Sequence, residues 1–154
     1  MIYAIIIVGL ALDQLTKYIT VANLKGADSV VLIKNWLEFT YVENTGVAFG
    51  SFRGYKYFFI FISLVAFFGI LFYIYKNKDK MSKIEQILFA LIACGALGNC
   101  IDRIRFSFVV DFIHTRFGGL YDFPVFNFAD IYICVACFLL IVVSFTKKEN
   151  LDDV

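Results

Sequence analysis

Three stretches of this chain, residues 57–75, 84–104 and 126–145, are apolar over lengths close to the ~20 residues that a helix needs to cross a bilayer. The first holds no charge. The second is apolar through its middle and meets Asn99, Asp102 and Arg103 near its end; the third carries Asn127 and Asp130 at its start. A fourth span is less plain. The unbroken run 2–12 is too short to cross and resembles a signal-peptide core, but no basic residue precedes it and no small-x-small site follows it directly. Extended to residue 22 it becomes long enough, with Asp13 and Lys17 four apart on one helical face, where they partly neutralise each other. Composition agrees. The 154 residues are 61% hydrophobic and 18% charged, against about 45–50% and 25% in soluble domains. The sequence predicts an all-α membrane protein, one domain over 1–154, with helices at about 2–22, 57–75, 84–104 and 126–145.

Charge distribution orients the chain. Residues 76–83 hold four Lys and the tail 146–154 holds two, whereas the longer connections 23–56 and 105–127 together hold six Lys and Arg. Denser Lys and Arg mark the cytoplasmic side, so both termini are predicted to be cytoplasmic and the outer loops to be 23–56 and 105–125. The net charge of +1 comes without a clustered basic face, which excludes nucleic acid as a partner. Within the first outer loop, Val30–Ile33 and residues 36–42 are β-branched and aromatic, and the second run alternates with a period of two. A small β element is predicted there, lying on the membrane interface with Tyr55, Tyr57 and Tyr121 as part of an aromatic belt.

Helical phase then gathers the polar residues. Gly95, Asn99, Asp102 and Arg103 share one face, as do Gly9, Asp13, Thr16, Lys17 and Thr20, and as do Asn127, Asp130 and Cys134. Polar groups in a membrane turn inward, so three helices aim at one interior site, and Asn44-Thr45-Gly46 forms a turn over it. As interhelical glue, Asp13, Lys17, Asn99, Asp102 and Arg103 need no further role, with Arg103 pairing Asp102 or Asp13. Asp111 and Asp130 differ. They fall at similar depth near the outer face, and neither has a basic residue at helical spacing. Unneutralised carboxylates beside lipid are costly, and that cost points to chemistry.

Other chemistries are thinly provided. His114 is the one histidine, which argues against His-based metal sites and Ser-His-Asp triads; it is read as an exposed interfacial residue. Ser63 and Ser144 lie far from Lys17, and no Gly-rich phosphate loop occurs. Cys94, Cys100, Cys134 and Cys137 all fall in apolar runs, where Cys acts as a small hydrophobe. A close Asp pair shares one proton, so that one carboxylate activates water while the other protonates a leaving amine. On spacing alone, this aspartic protease chemistry stands beside a small transporter or proton channel and a non-enzymatic assembly subunit. A presenilin-type protease is excluded by the absence of Gly-x-Gly-Asp.

Five motifs then occur in order: Asp13-Gln14-Leu15-Thr16-Lys17; Glu43-Asn44-Thr45-Gly46-Val47-Ala48-Phe49-Gly50; Gly95-Ala96-Leu97-Gly98-Asn99-Cys100-Ile101-Asp102-Arg103; Val109-Val110-Asp111-Phe112; and Phe126-Asn127-Phe128-Ala129-Asp130. Together they resemble the bacterial lipoprotein signal peptidase (type II signal peptidase) family. That resemblance implies an intramembrane aspartyl endopeptidase of the bacterial inner membrane. It cuts signal peptides from prolipoproteins before a diacylglyceryl-modified cysteine, near the outer leaflet. Asp111 and Asp130 match the family's catalytic pair. Asn44, Asn99, Asp102, Arg103 and Asn127 match positions that support the dyad or the substrate, and Asp13 and Lys17 match a helix motif nearby. The resemblance implies no metal or organic cofactor, lipidated prolipoproteins and membrane lipids as partners, inhibition by globomycin-type cyclic peptides, and a monomer. The start of this chain departs modestly, lacking the basic residues often seen there.

Overall fold

The computed structural model describes residues 1–46 and 55–152, with side chains through 146. Residues Val47, Ala48, Phe49 and Gly50 of the second motif lie outside the described residues. The elements run α1 (Ile2–Leu24), β1 (Val30–Ile33), β2 (Leu37–Asn44), α2 (Lys56–Asn77), α3 (Lys83–Phe106), β3 (Val109–Thr115) and α4 (Phe128–Asp152). The four helices predicted from the sequence are all present, each long and apolar enough to cross a membrane, as is the small β element. This is a multi-pass membrane protein.

α3 is the central helix. It packs against α1, α2 and α4, and half of its most apolar stretch is buried, against 6% for α2. Small residues make that position possible: Ala90, Ala93, Cys94, Gly95, Ala96 and Gly98 are all buried, and they let neighbouring backbones approach closely. At Gly95 an added Cβ would run into the Ala129 carbonyl of α4, so this crossing requires glycine. α2 and α4 instead present Phe, Ile and Val outward, as helices facing lipid do. Ser82 caps α3 in a reciprocal box with Glu85. At its other end Ser107 adopts φ 73° and turns the chain out of the helix.

That turn leads into a strand the sequence reading assigned to loop. β3 completes an antiparallel sheet in the order β1-β2-β3, pairing Leu37 with Thr115, Val42 with Asp111 and Asn44 with Val109. Its Val-Val-Asp-Phe-Ile segment is buried throughout. With both faces covered, it lacks the alternation that betrays a half-buried strand, whereas β2 shows it. The fourth apolar run also starts before its helix. Asn127 caps α4, its Oδ1 accepting from the Asp130 N–H at 3.0 Å while Asp130 Oδ2 accepts from the Asn127 N–H at 3.1 Å.

Candidate active site

Capping is what puts Asp130 in place. At the third position of α4, its carboxylate is tied back to the Asn127 backbone through Oδ2, and its Oδ1 accepts from Asn99 Nδ2 at 2.8 Å. Asp111 arrives from β3. Its Oδ1 accepts from Asn127 Nδ2 at 2.6 Å and its Oδ2 from Asn44 Nδ2 at 2.9 Å. Asn127 therefore touches both carboxylates, one with its side chain and one with its backbone. Asn99 closes the circuit, because its Oδ1 accepts from Asn127 Nδ2 at 3.2 Å. Four amide donors, carried by three asparagines from β2, α3 and the cap of α4, converge on two acids. Neither acid has an ion pair among the described residues.

Asp111 is 2% exposed, whereas Asp130 is half-buried. Burial raises the Asp111 carboxyl and the neighbouring Asp130 charge raises it further, to about 7, against the opposing pull of the Asn44 and Asn127 amides. Like charges at close quarters resist simultaneous ionisation. Burial and the neighbouring charge thus both favour the protonated form of Asp111.

Directly beneath lies a second cluster. The Lys17 ammonium has three donors, and each finds an acceptor: Asp13 Oδ2 at 3.0 Å, Asp102 Oδ2 at 3.1 Å and Asn99 Oδ1 at 2.9 Å. Asp13 Oδ1 also accepts from the Ala129 N–H at 3.0 Å, in the first turn of α4, where a negative charge suits the helix dipole. Asp102 Oδ2 accepts from the Val110 N–H at 3.1 Å, one residue before Asp111. Each carboxylate of this cluster thus holds the backbone that carries one member of the upper pair. Lys17 holds Asn99, whose amide faces Asp130.

The predicted site residues Asp13, Lys17, Asn44, Asn99, Asp102, Asp111, Asn127 and Asp130 are all joined in this one network. Arg103 is joined differently from the prediction: it pairs with neither Asp102 nor Asp13. Its guanidinium donates to the Gly46 carbonyl at 3.1 Å and the Asn99 carbonyl at 3.4 Å, and it lies over the Phe59 ring at 5.1 Å. Lys17 already occupies the space between the two acids, which leaves Arg103 to fasten the chain after β2. There Asn44 Oδ1 accepts from the Gly46 N–H at 3.0 Å, making the predicted turn.

Three further expectations are corrected. Cys134 is exposed on the lipid side of α4 rather than turned inward, because the inward-facing residues of that helix, Ala129 and Ala136, are small and closely packed. Thr16 is half-buried and spends its hydroxyl on the carbonyls of Leu12 and Asp13. His114 is 13% exposed, with Nδ1 at 2.8 Å from Glu38 Oε1 on the paired strand. Gln14 carried no predicted role. Its amide reaches Asp102 Oδ1 at 3.0 Å, Asp13 Oδ2 at 3.2 Å and the Gly98 carbonyl at 3.3 Å. It stands beside Asp13 in the first motif, but an uncharged carboxamide next to a charged pair gave no signal of its own. Gly98 was equally silent, yet a Cβ there would stand 2.5 Å from Asp13 Oδ2.

Comparison with known proteins adds an independent line. The family model described as signal peptidase (SPase) II matches residues 5–146. The lipoprotein signal peptidase of Clostridium tetani is 40% identical over 149 residues, covering 97% of this chain and 94% of that protein. The lipoprotein signal peptidase of Halothermothrix orenii is 39% identical, covering 99% of this chain and 100% of its own length. A solved structure described as a bacterial membrane enzyme superposes with a TM-score of 0.85 at 32% identity, over 97% of this chain and 90% of that one.

Proposed function

Because the chain belongs to the signal peptidase II family, we propose that it removes signal peptides from prolipoproteins as an aspartic endopeptidase, with Asp111 and Asp130 as its catalytic pair. The observation that carries the aspartic reading is the meeting of the two carboxylates on Asn127, with no cation paired to either among the described residues. A structural ion pair would hold a cation here. A dyad works only without one, since a single proton must be shared and moved.

The chemistry follows from that sharing. The ionised member takes a proton from a water molecule, whose oxygen attacks the carbonyl of the residue before the scissile bond. The protonated member gives its proton to the departing amine, and the dyad returns to one proton. Asn44, Asn99 and Asn127 fix the acids so that little reorganisation accompanies the attack. Asp102 and Asp13 hold the backbones of β3 and α4, and Lys17 keeps those two acids neutralised from below. Arg103, fastened to Gly46, positions the chain beside Asn44.

The substrate reading is a cut before a diacylglyceryl-modified cysteine. It is supported by the sheet at the ends of the apolar helices: a lipid-bearing cysteine sits at the bilayer interface, where Asp111 on β3 and Asp130 at the start of α4 also lie. The Lys-rich turn 76–83 and tail favour cytoplasmic termini, and hence a site near the outer leaflet of a bacterial inner membrane. The chain needs no metal or organic cofactor for this chemistry, acts as a monomer, and is blocked by globomycin-type cyclic peptides.

The test is to incubate the purified protein in lipid with one precursor in two forms, with and without diacylglycerol on its cysteine. Release of the signal peptide from the modified form alone, stopped by globomycin, is the expected result. Equal cleavage of both forms would overturn the substrate reading, and cleavage that requires added metal would overturn the aspartic one.

A further inference from the structure

The lower cluster contains one polar side chain that takes no part in the chemistry so far, Gln14. Its Nε2 has two N–H donors for three acceptors. The nearest is Asp102 Oδ1 at 3.0 Å, ahead of Asp13 Oδ2 at 3.2 Å and the Gly98 carbonyl at 3.3 Å. Asp102 is 1% exposed. Its Oδ2 faces Lys17 and the Val110 N–H, both at 3.1 Å, and among the described residues Gln14 is the only donor to its Oδ1. No neighbouring cation can take over that oxygen. Lys17 already has its three donors engaged, and Arg105 lies over the Phe106 ring at 4.8 Å without an acidic partner among the described residues. Gln14 also forms part of the wall of a notch of about 320 Å³ between α1 and α3, which it shares with Tyr18, Val21, Asp102 and Phe106 and which Val110 of β3 bounds. Tyr18 and Arg105 are exposed at its edge.

We propose that Gln14 is a positioning residue for the reaction: it locks the Asp102 carboxylate in one orientation and, through the Val110 N–H, sets where Asp111 stands. The proposal rests on Asp111 and Asp130 being the catalytic pair. A carboxylate turns about a single bond, and it keeps one orientation only while both oxygens are held. Gln14 holds Oδ1, so Oδ2 stays on Val110. Without Gln14, Oδ1 is a buried acceptor with no donor, which is costly. The carboxylate then turns to share Lys17 between its two oxygens and releases Val110. Val110 precedes Asp111 on β3, so the loss reaches the acid that Asn44 and Asn127 hold from the other side. A mere tie between helices would act differently. It would run through the Gly98 carbonyl, the longest of the three contacts, and its loss would lower stability without changing turnover per folded molecule.

The test compares the full-length parent with Gln14→Met, Gln14→Glu, Tyr18→Phe and Asp111→Asn in lipid. Cleavage of a diacylglyceryl-modified precursor is measured per folded molecule, and amide hydrogen exchange at Val110 is followed in parallel. In Gln14→Met, Val110 should exchange faster and kcat should fall by about 10–10²-fold, with KM within about twofold of the parent. Gln14→Glu separates the lock from simple packing. Its carboxyl can donate to Asp102 only while protonated; once ionised it adds a third negative charge to a site faced by Asp13 and Lys17 from α1 and by Asp102 and Arg105 from α3, with none from Val110 of β3. Its kcat relative to the parent should therefore be near one in acid and drop by about tenfold or more in mild alkali. Tyr18→Phe, in the same notch but with no bond to Asp102, should keep the parent's kcat. A Gln14→Met kcat within threefold of the parent overturns the proposal, as does a loss of kcat with Val110 exchange unchanged. If Gln14→Met does not fold, the Gln14→Glu profile decides, and one parallel to the parent's at every pH overturns the lock. Cleavage by Asp111→Asn would instead sink the dyad reading and with it the catalytic consequence of the lock, while faster Val110 exchange in Gln14→Met would still show Gln14 holding β3.

Discussion

Replacing Lys17 with Met tests the lower cluster most sharply. The ammonium is 3% exposed and stands 3.0 and 3.1 Å from two carboxylates that are 0% and 1% exposed. Met keeps much of the apolar stem but removes the charge and three donated hydrogen bonds. Breaking a buried pair by deleting one partner costs about 3–5 kcal/mol, because the charge left behind is uncompensated. Here two acids are left facing each other, which favours the upper end. For a chain of this size about 1 kcal/mol corresponds to roughly 2–4 °C, so Lys17→Met should melt roughly 10 °C or more below the parent in lipid or detergent. The double variant Lys17→Met/Asp13→Asn should recover at least half of that loss. Its amide oxygen still accepts from the Ala129 N–H, and one of the two charges is gone. Cleavage per folded molecule should fall only several-fold. Melting within 1 °C of the parent, or a second substitution that deepens the loss, would refute the charge argument. A fully stable but inactive Lys17→Met would make this lysine part of the reaction instead.

Three other outcomes follow from the same geometry. Gly98→Ala puts a methyl 2.5 Å from Asp13 Oδ2 and should cost about 1–3 kcal/mol; Gly69→Ala in α2, with nothing within 4 Å, should be neutral or gain up to about 1 kcal/mol on thermal melting. Asn127→Ala removes the cap of α4 and the donor to Asp111 together. It should lower the melting free energy by about 1 kcal/mol and kcat by about 10²–10³-fold, and a kcat within threefold of the parent contradicts the bridge. The pH dependence of kcat/KM should be bell-shaped, since the reaction needs one proton on the pair. With Asp111 raised to about 7, activity should hold up to neutral pH and fall above it as that proton leaves, and a rate flat from acid to alkaline pH rules out a shared proton.

How much of this could be read from residues alone depends on what each residue answers to. The spanning helices answer to the bilayer, so runs such as 57–75 declare themselves by length and lack of charge. The inward faces answer to the same solvent: Asp13, Lys17, Asn99 and Asp102 lie where helical phase put them. Partner choice answers to three-dimensional depth, which phase does not supply. Arg103 and Lys17 are both cations near Asp102, and only the packing of α1 on α3 decides that Lys17 takes the acids while Arg103 reaches Gly46 and Phe59. β3 was hidden for a related reason. A strand covered on both faces has no period of two, and Val109–Thr115 reads as one more apolar stretch of loop. His114 was misplaced with it, because its burial depends on the pairing of Glu38 with it across β2 and β3. Gln14 shows the remaining gap: a carboxamide that bonds two acids and a backbone carbonyl has no charge or spacing to announce it.

The most direct measurement is cleavage of a diacylglyceryl-modified precursor by Asp111→Asn and Asp130→Asn, each compared with the parent at equal folded concentration. Asp111, raised to about 7, binds more protons folded than unfolded between about 4 and 7, so it draws down stability as pH rises through that range. Asp111→Asn removes that burden and should melt no lower than the parent at pH 8, while releasing no signal peptide; Asp130→Asn should be equally inactive. Turnover by either folded variant within tenfold of the parent would contradict a reaction run by two acids and one proton.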